Sequence, residues 1–158
     1  MAVTVREAVA DDAATIVGLV RQFEQEEGKN AARLTVADVL AHAFGEWPRF
    51  RVLIAERAGR TLGYAMFYPS YDSEYAAKGF YLQDLFVVAE ARKRGVGRAL
   101  MAAVARACLA DGGLYVFWNA LEANRAARAF YRRIGGREEP VVTLSLQPQA
   151  LERLAAKS

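Results

Sequence analysis

Cysteine, histidine and proline are scarce in this chain of 158 residues: one Cys, one His and four Pro. With Cys108 alone, neither an internal disulfide nor a cluster of thiolate metal ligands can form, and a reduced, intracellular setting is expected. With His42 alone, no imidazole pair exists to hold a metal ion, so the residue reads as structural or exposed and no metal site is predicted. No apolar run approaches the roughly 18 residues that a membrane span needs, so no membrane partner is expected. The opening "MAVTVREAVADD" lacks a basic start followed by an apolar stretch, which predicts no secretion signal and a cytoplasmic protein. There is no internal repeat and no low-complexity linker, and 17.4 kDa suits one domain spanning residues 1–158.

What is present is an apolar fraction of 54%, enough for a well-buried core, and an uneven distribution of charge. Residues 1–83 hold nine basic and eleven acidic side chains, whereas residues 84–137 hold ten basic and four acidic. A positive field concentrated in this way suits one compact polyanionic ligand at least as well as a nucleic-acid strand. No exposed aromatic stacking positions accompany the arginines, so no nucleic-acid partner is predicted.

Apolar spacing divides the chain into elements. "VTVREA" alternates as a first strand, and Asp11 or Asp12 precedes a helix with Ile16, Leu19, Val20 and Phe23 on one face, stopped near Gly28. "TVAD" has the form of a capping box opening a second helix through Val36, Val39, Leu40 and Ala43. The period then becomes two: "FRVLIAE" and "LGYAMFY" form a hairpin, "PSYDSEYAAKG" reads as a polar loop, and "FYLQDLFVVA" as a long strand. Val96, Ala99, Leu100, Ala103, Val104, Ala107 and Cys108 mark a helix ending at "DGG", with Cys108 as a core residue. "LYVFW" is another buried strand, Asn124 caps a helix closed by Gly135 and Gly136, and "VVTLSL" is a last strand. The order β-α-α-β-β-β-α-β-α-β predicts one mixed α/β domain.

Between the long strand and its helix lies "ARKRGVGRAL". A glycine turn at a helix start leaves backbone N–H groups without intrahelical partners, and the helix dipole adds positive charge there. Gly95 and Gly97 let a ligand approach the backbone, and Arg92, Lys93, Arg94 and Arg98 attract an anion. Phosphate is the natural occupant. The segment lacks the Lys-Ser/Thr ending of a nucleotide P-loop and the three-glycine dinucleotide fingerprint.

The turn instead matches Arg/Gln-x-x-Gly-x-Gly/Ala, and with "NRAARAFYRRIGG" downstream the chain resembles the GNAT superfamily of N-acetyltransferases. "FGEWP", "VLIAE", "LGYAMFYPSYD" and "YLQDLFV" resemble landmarks of its diamine (spermidine/spermine-type) branch, in the same order. The resemblance implies a central, mostly antiparallel twisted sheet with two splayed parallel strands and flanking helices. It also implies acetyl-coenzyme A as acyl donor, a homodimer joined through the C-terminal strand and "QPQALERLAAKS", and direct transfer of acetyl to an amine. By the same resemblance, Arg92, Lys93, Arg94, Gly95, Val96, Gly97 and Arg98 hold the pyrophosphate, and backbone N–H near Phe86, Val87 and Val88 meets the thioester oxygen. Asn124 lines the cofactor, and Tyr131 protonates the leaving thiolate.

Such a reaction needs an amine that has lost its proton. The diamine branch typically reads Leu-Glu-Asp where this chain reads Leu82-Gln83-Asp84, and an amide accepts no proton. Three routes follow: Asp84 serves if the strand twists or bulges enough to present it, ordered water carries the proton to another carboxylate such as Glu122, or the amine arrives neutral. Strand alternation puts Gln83 and Asp84 on opposite faces, which favours water. Gln83, Asp84 and Tyr131 are thus the candidate catalytic residues, and Glu26, Glu27, Asp72, Glu74, Gln83 and Asp84 the candidate amine-binding ones. The expected acceptor is a primary amine of a small diamine, polyamine or lysine-like molecule. A different acceptor (a protein N-terminus, an amino acid, an aminoglycoside) and a non-catalytic acyl-coenzyme A sensor are the alternatives.

Overall fold

The computed structural model describes residues 2–29 and 33–156. Asn30, at the end of the acidic stretch, and Lys157 and Ser158, at the end of the predicted contact segment, lie outside the described residues. The chain divides into two compact units, Met1–Asn119 and Ala120–Ser158.

The first unit is a five-stranded sheet with helices. Its strands lie in chain order: β1 (Thr4–Glu7), β2 (Arg51–Arg57), β3 (Arg60–Asp72), β4 (Ala77–Val87) and β5 (Val116–Phe117). All neighbours are antiparallel except β4 and β5, which run parallel. Helices α1 (Ala13–Glu26) and α2 (Val36–Ala43) connect β1 to β2, and α3 (Val96–Ala110) connects β4 to β5. This is the mixed, mostly antiparallel sheet that the sequence predicts.

Local signals place these helices. Thr35 Oγ1 accepts from the Asp38 N–H at 3.1 Å while Asp38 Oδ2 accepts from the Thr35 N–H at 2.9 Å, the reciprocal capping box read from "TVAD". Asp12 stands at the start of α1, but its carboxylate accepts two hydrogen bonds from Arg6, at 2.7 and 2.9 Å, instead of capping the helix. Gly28 follows α1 with φ +72°, as a helix stop requires. The buried stripe of α1 (Ala13, Ile16, Val17, Leu19, Val20) and that of α3 (Val96, Leu100, Ala103, Val104, Cys108) join Ile54, Tyr64 and Phe67 of the sheet in one core.

Three expectations change. The polar loop after "LGYAMFY" shrinks to a turn over residues 73–76, because β3 and β4 keep pairing as far as Asp72 and Ala77. Within "LYVFW" only Val116 and Phe117 pair with β4, and Phe117 is exposed.

The last strand does not form. In the second unit, α4 (Arg125–Arg133) is followed by residues 141–146 with no ladder and every side chain exposed, then by an unpredicted helix, α5 (Pro148–Ala155). The alternation of Val142, Leu144 and Leu146 is a strand pattern, but a strand exists only where a neighbour takes its backbone hydrogen bonds. None of the described residues does so.

At Gly63 two strands come close. A Cβ there would lie 2.2 Å from the carbonyl oxygen of Phe86 on β4. Gly63→Ala is therefore expected to lower unfolding free energy by about 1–3 kcal/mol, read from the shift in denaturation midpoint. An unchanged midpoint would mean that β4 yields at no cost.

Candidate active site

The β3–β4 ladder contains one irregularity, and it falls at the candidate site. Met66 pairs with Asp84 and Phe67 with Leu82, so Gln83 is an extra residue without a partner. Such a β-bulge reverses the alternation beyond it. Before the bulge, Leu82 stands opposite Phe67, whose ring meets Phe80 at 4.9 Å on one face of the sheet. After it, Asp84 faces the other side, where Tyr64 meets Phe86 at 6.3 Å. In a regular strand Leu82 and Asp84 would share a face. Here they do not.

The Tyr64 hydroxyl donates to Asp84 Oδ2 at 3.0 Å, and Tyr64 itself is fully buried. Burial pushes the half-buried Asp84 carboxyl up to about 6; the Tyr64 hydroxyl and the Lys29 ammonium pull it down, while Glu27 and Glu24 push it up. Phe23 of α1 lies 5.8 Å from the Phe86 ring and brings the acidic end of that helix over this face. Glu24 Oε2 is buried without a hydrogen-bond partner, and Lys29 Nζ donates to Glu27 Oε2 at 2.6 Å. Sequence reasoning missed Glu24 and Lys29. The signal was present: Glu24 and Glu27 lie three apart, one helical turn, and Glu27 is four residues from the inward-facing Phe23.

The remaining acidic candidates lie elsewhere. Glu26 pairs with Arg92, whose guanidinium also donates through Nε to the Val87 carbonyl at 2.9 Å and lies 5.7 Å from the Phe86 ring. Asp72 Oδ1 accepts from the N–H of Glu74 at 2.8 Å and of Tyr75 at 3.3 Å, shaping the hairpin turn. Asp72 is six β3 residues from Met66, the partner of Asp84, a separation of about 20 Å along a strand. Asp72 and Glu74 are therefore not brought to Asp84.

The cofactor candidates sit at the far end of β4. Gly95 caps α3 with φ +83° and open space where a Cβ would be, and Lys93 also has a left-handed φ of +59°. This turn aims the first N–H groups of a 15-residue helix outward, an arrangement fit for a pyrophosphate. Val96 is buried beneath it, while Lys93, Arg94 and Arg98 are exposed. Strand β5 pairs with β4 only at Phe80 and Tyr81, so β4 continues to Val87 with no strand beside it among the described residues. The Val88 N–H is taken by the Leu62 carbonyl at 3.0 Å. Alternation then turns the Val87 N–H, and not that of Phe86 or Val88, toward the open edge.

The second unit carries Asn124 and Tyr131. Asn124 Oδ1 accepts from the Ala127 N–H at 3.1 Å, capping α4. Tyr131 is half-buried with its ring 5.2 Å from Phe130, and burial pushes its phenol up to about 12. Arg128 and Arg132 both pair with Glu138, at 2.9 and 2.7 Å, and Arg128 also donates to the Glu122 carbonyl.

A carboxyl raised by burial binds its proton more tightly folded than unfolded. Its contribution to stability is complete below the ordinary carboxylate range and is lost as pH rises toward about 6. Asp84→Asn is expected to raise the melting temperature at pH 8, by about 2–4 °C, and to leave it unchanged near pH 3. Equal shifts at both pH values would refute the burial argument.

The acetyltransferase (GNAT) family model matches residues 14–136. An uncharacterized N-acetyltransferase of Bacillus subtilis (strain 168), YhfO, is 32% identical over 135 residues, covering 85% of this chain and 90% of that protein. A thialysine N-ε-acetyltransferase of Bos taurus is 27% identical over 168 residues, covering 98% of each. Among solved structures, an integron cassette protein from the mobile metagenome of V. cholerae has a TM-score of 0.83 at 23% identity, covering 99% of each chain. An aminoglycoside acetyltransferase from an uncultured soil metagenomic sample, in complex with sisomicin, has a TM-score of 0.79 at 22% identity, covering 92% of this chain and 95% of that one. With its mixed sheet, its glycine turn before α3 and these relatives, the chain belongs to the acetyltransferase (GNAT) family and is an N-acetyltransferase.

Proposed function

We propose that this enzyme transfers acetyl directly to a primary amine of a small cationic acceptor, a diamine, polyamine or lysine-like molecule, with Asp84 as the base. The observation that carries this reading is the bulge at Gln83, which turns a carboxylate toward the acidic end of α1. Acetyl-coenzyme A, the acyl donor general to the family, supplies an activated thioester. The chain's residues supply the rest. Backbone N–H groups of Lys93, Arg94, Gly95, Val96 and Gly97, with the exposed side chains of Lys93, Arg94 and Arg98, hold the pyrophosphate. The Val87 N–H on the open β4 edge donates to the thioester oxygen as it gains charge.

Glu24 and Glu27 draw an ammonium to Asp84, which takes one proton from it and leaves a neutral amine to attack. A carboxyl that titrates near pH 6 is ionised at neutral pH and still basic enough to accept that proton. Gln83, exposed at the bulge, contacts the acceptor without taking a proton. Tyr131 protonates the leaving thiolate and regains a proton from the one the attacking nitrogen sheds as the amide forms; its phenol, pushed up by burial, supports the role that family resemblance implies. The thialysine acetyltransferase relative supports a lysine-like acceptor.

We further propose that residues 1–158 act as one catalytic domain, in the cytoplasm, as a homodimer. No helix among the described residues is long and apolar enough to cross a membrane. The unpaired segment 141–146, with Val142 and Leu144 more than four-fifths exposed, and α5 with Leu151 and Leu154 exposed supply an apolar surface for the second copy.

Thiol release from acetyl-coenzyme A, measured with spermidine, putrescine, lysine, thialysine, an aminoglycoside and short peptides, tests the reading. A diamine or lysine analogue is expected to release thiol. Asp84→Asn should lower kcat/KM for the amine at least about a hundredfold and leave the KM for acetyl-coenzyme A within about twofold. Tyr131→Phe should lower kcat at least about tenfold. Cofactor binding without thiol release from any amine would favour a sensor, and full activity of Asp84→Asn would remove Asp84 as base.

A further inference from the structure

Tyr64 has a hydroxyl that the core does not need. The residue is 0% exposed, its ring stands opposite Phe86 in the ladder, and a phenylalanine would fill the same space. A buried phenol must find a hydrogen-bond partner, and Tyr64 finds Asp84 Oδ2 at 3.0 Å. Pairing of β3 with β4 from Asp84 onward, at Met66 with Asp84, Ala65 with Leu85 and Tyr64 with Phe86, fixes where the hydroxyl can reach. Without the bulge at Gln83 the carboxylate would lie on the opposite face.

We propose that Tyr64 is the positioning residue of the catalytic carboxylate: its O–H holds Asp84 Oδ2 and leaves Oδ1 to take the proton of the acceptor ammonium. The inference rests on the reading of Asp84 as base. In the step itself an ammonium N–H bond breaks, its proton goes to Asp84 Oδ1, and the nitrogen keeps the electron pair that attacks the acyl carbon. Tyr64 keeps its own proton throughout, because burial beside Asp84 holds its phenol far above the ordinary range.

The charged groups facing Asp84 make this donor matter. Glu24 and Glu27, at the end of α1, favour the protonated carboxyl, as does burial. Against them stand Lys29, which is exposed and already hydrogen-bonded to Glu27, and the hydroxyl of Tyr64. An acceptor's ammonium would compete with Lys29 for the same carboxylates. Tyr64, by contrast, is 0% exposed and carries no charge for an acceptor's ammonium to displace.

The test is Tyr64→Phe, with two midpoints measured as a function of pH. One is the acid limb of kcat/KM for the amine; the other is the carboxyl-carbon NMR shift of Asp84 in the free enzyme. Both are expected to move up by at least about one pH unit, so that activity lost at pH 7 is partly regained at pH 8.5, with the KM for acetyl-coenzyme A within about twofold. A merely structural role would lower activity equally at every pH. An Asp84 midpoint that does not move in Tyr64→Phe overturns the inference.

A measurement on the unaltered enzyme needs no variant to fold: the Tyr64 hydroxyl proton should titrate with the Asp84 midpoint, and a hydroxyl signal indifferent to it also overturns the inference. In an Asp84→Asn background, Tyr64→Phe should cost little further activity, and two independent, additive losses would count against coupling. The two readings fail differently. Full activity of Asp84→Asn removes the base and this inference with it, whereas an inactive Asp84→Asn beside an unmoved midpoint removes only the role of Tyr64.

Discussion

One unpaired residue in β4 governs which side chains meet at the candidate active site. Because Gln83 has no partner on β3, Leu82 turns into the core beside Phe67, and Asp84, two residues on, turns to the opposite face beside Tyr64. Leu82 is 3% exposed on its face, whereas on the other face Asp84 meets a hydrogen-bond donor among apolar neighbours. The irregularity lets a strand continuous with the core also present a titratable group, and the phenol of Tyr64 satisfies one of its oxygens.

The first unit also keeps charges of opposite sign at separate places. The acidic end of α1, with Glu24 and Glu27, influences Asp84, while the turn before α3 carries Lys93, Arg94 and Arg98 toward solvent. Arg92 joins the two regions. It binds the last carbonyl of β4, pairs with Glu26 and lies over Phe86, so it ties the strand end to α1 and is less free than its neighbours to meet an anion. Acidic and basic groups are thereby held apart near the C-terminal end of β4, with Arg92 between them.

Much of this was legible in the sequence because the signals are local. The stripe of Ile16, Leu19 and Val20, the capping box at Thr35, the cap at Asn124 and the glycine turn at Gly95 each depend on residues within a turn or two. The final strand was not legible, since Val142, Leu144 and Leu146 alternate as a strand should, yet no described residue pairs with them. Nor was the placement of the acidic candidates. Asp72 and Glu26 look equivalent to Glu24 and Glu27 as letters, but Asp72 closes a hairpin turn and Glu26 pairs with Arg92.

By itself the sequence determined the class of protein: a mixed sheet with a phosphate-fit glycine turn at a helix start, in a chain with one cysteine and one histidine. These are matters of composition and short-range spacing, and they point to a phosphate ligand at the turn; acetyl transfer is what the resemblance of that turn and of "NRAARAFYRRIGG" to the GNAT family implies. What such spacing leaves out, and only the tertiary structure decided, is that Asp84 shares a face with Tyr64, that Tyr64 donates to it and that Glu24 influences it. The register of β3 against β4 brings together residues twenty positions apart, and a one-residue slip in that register reverses the face of every side chain beyond it. No pattern of neighbouring letters carries that information.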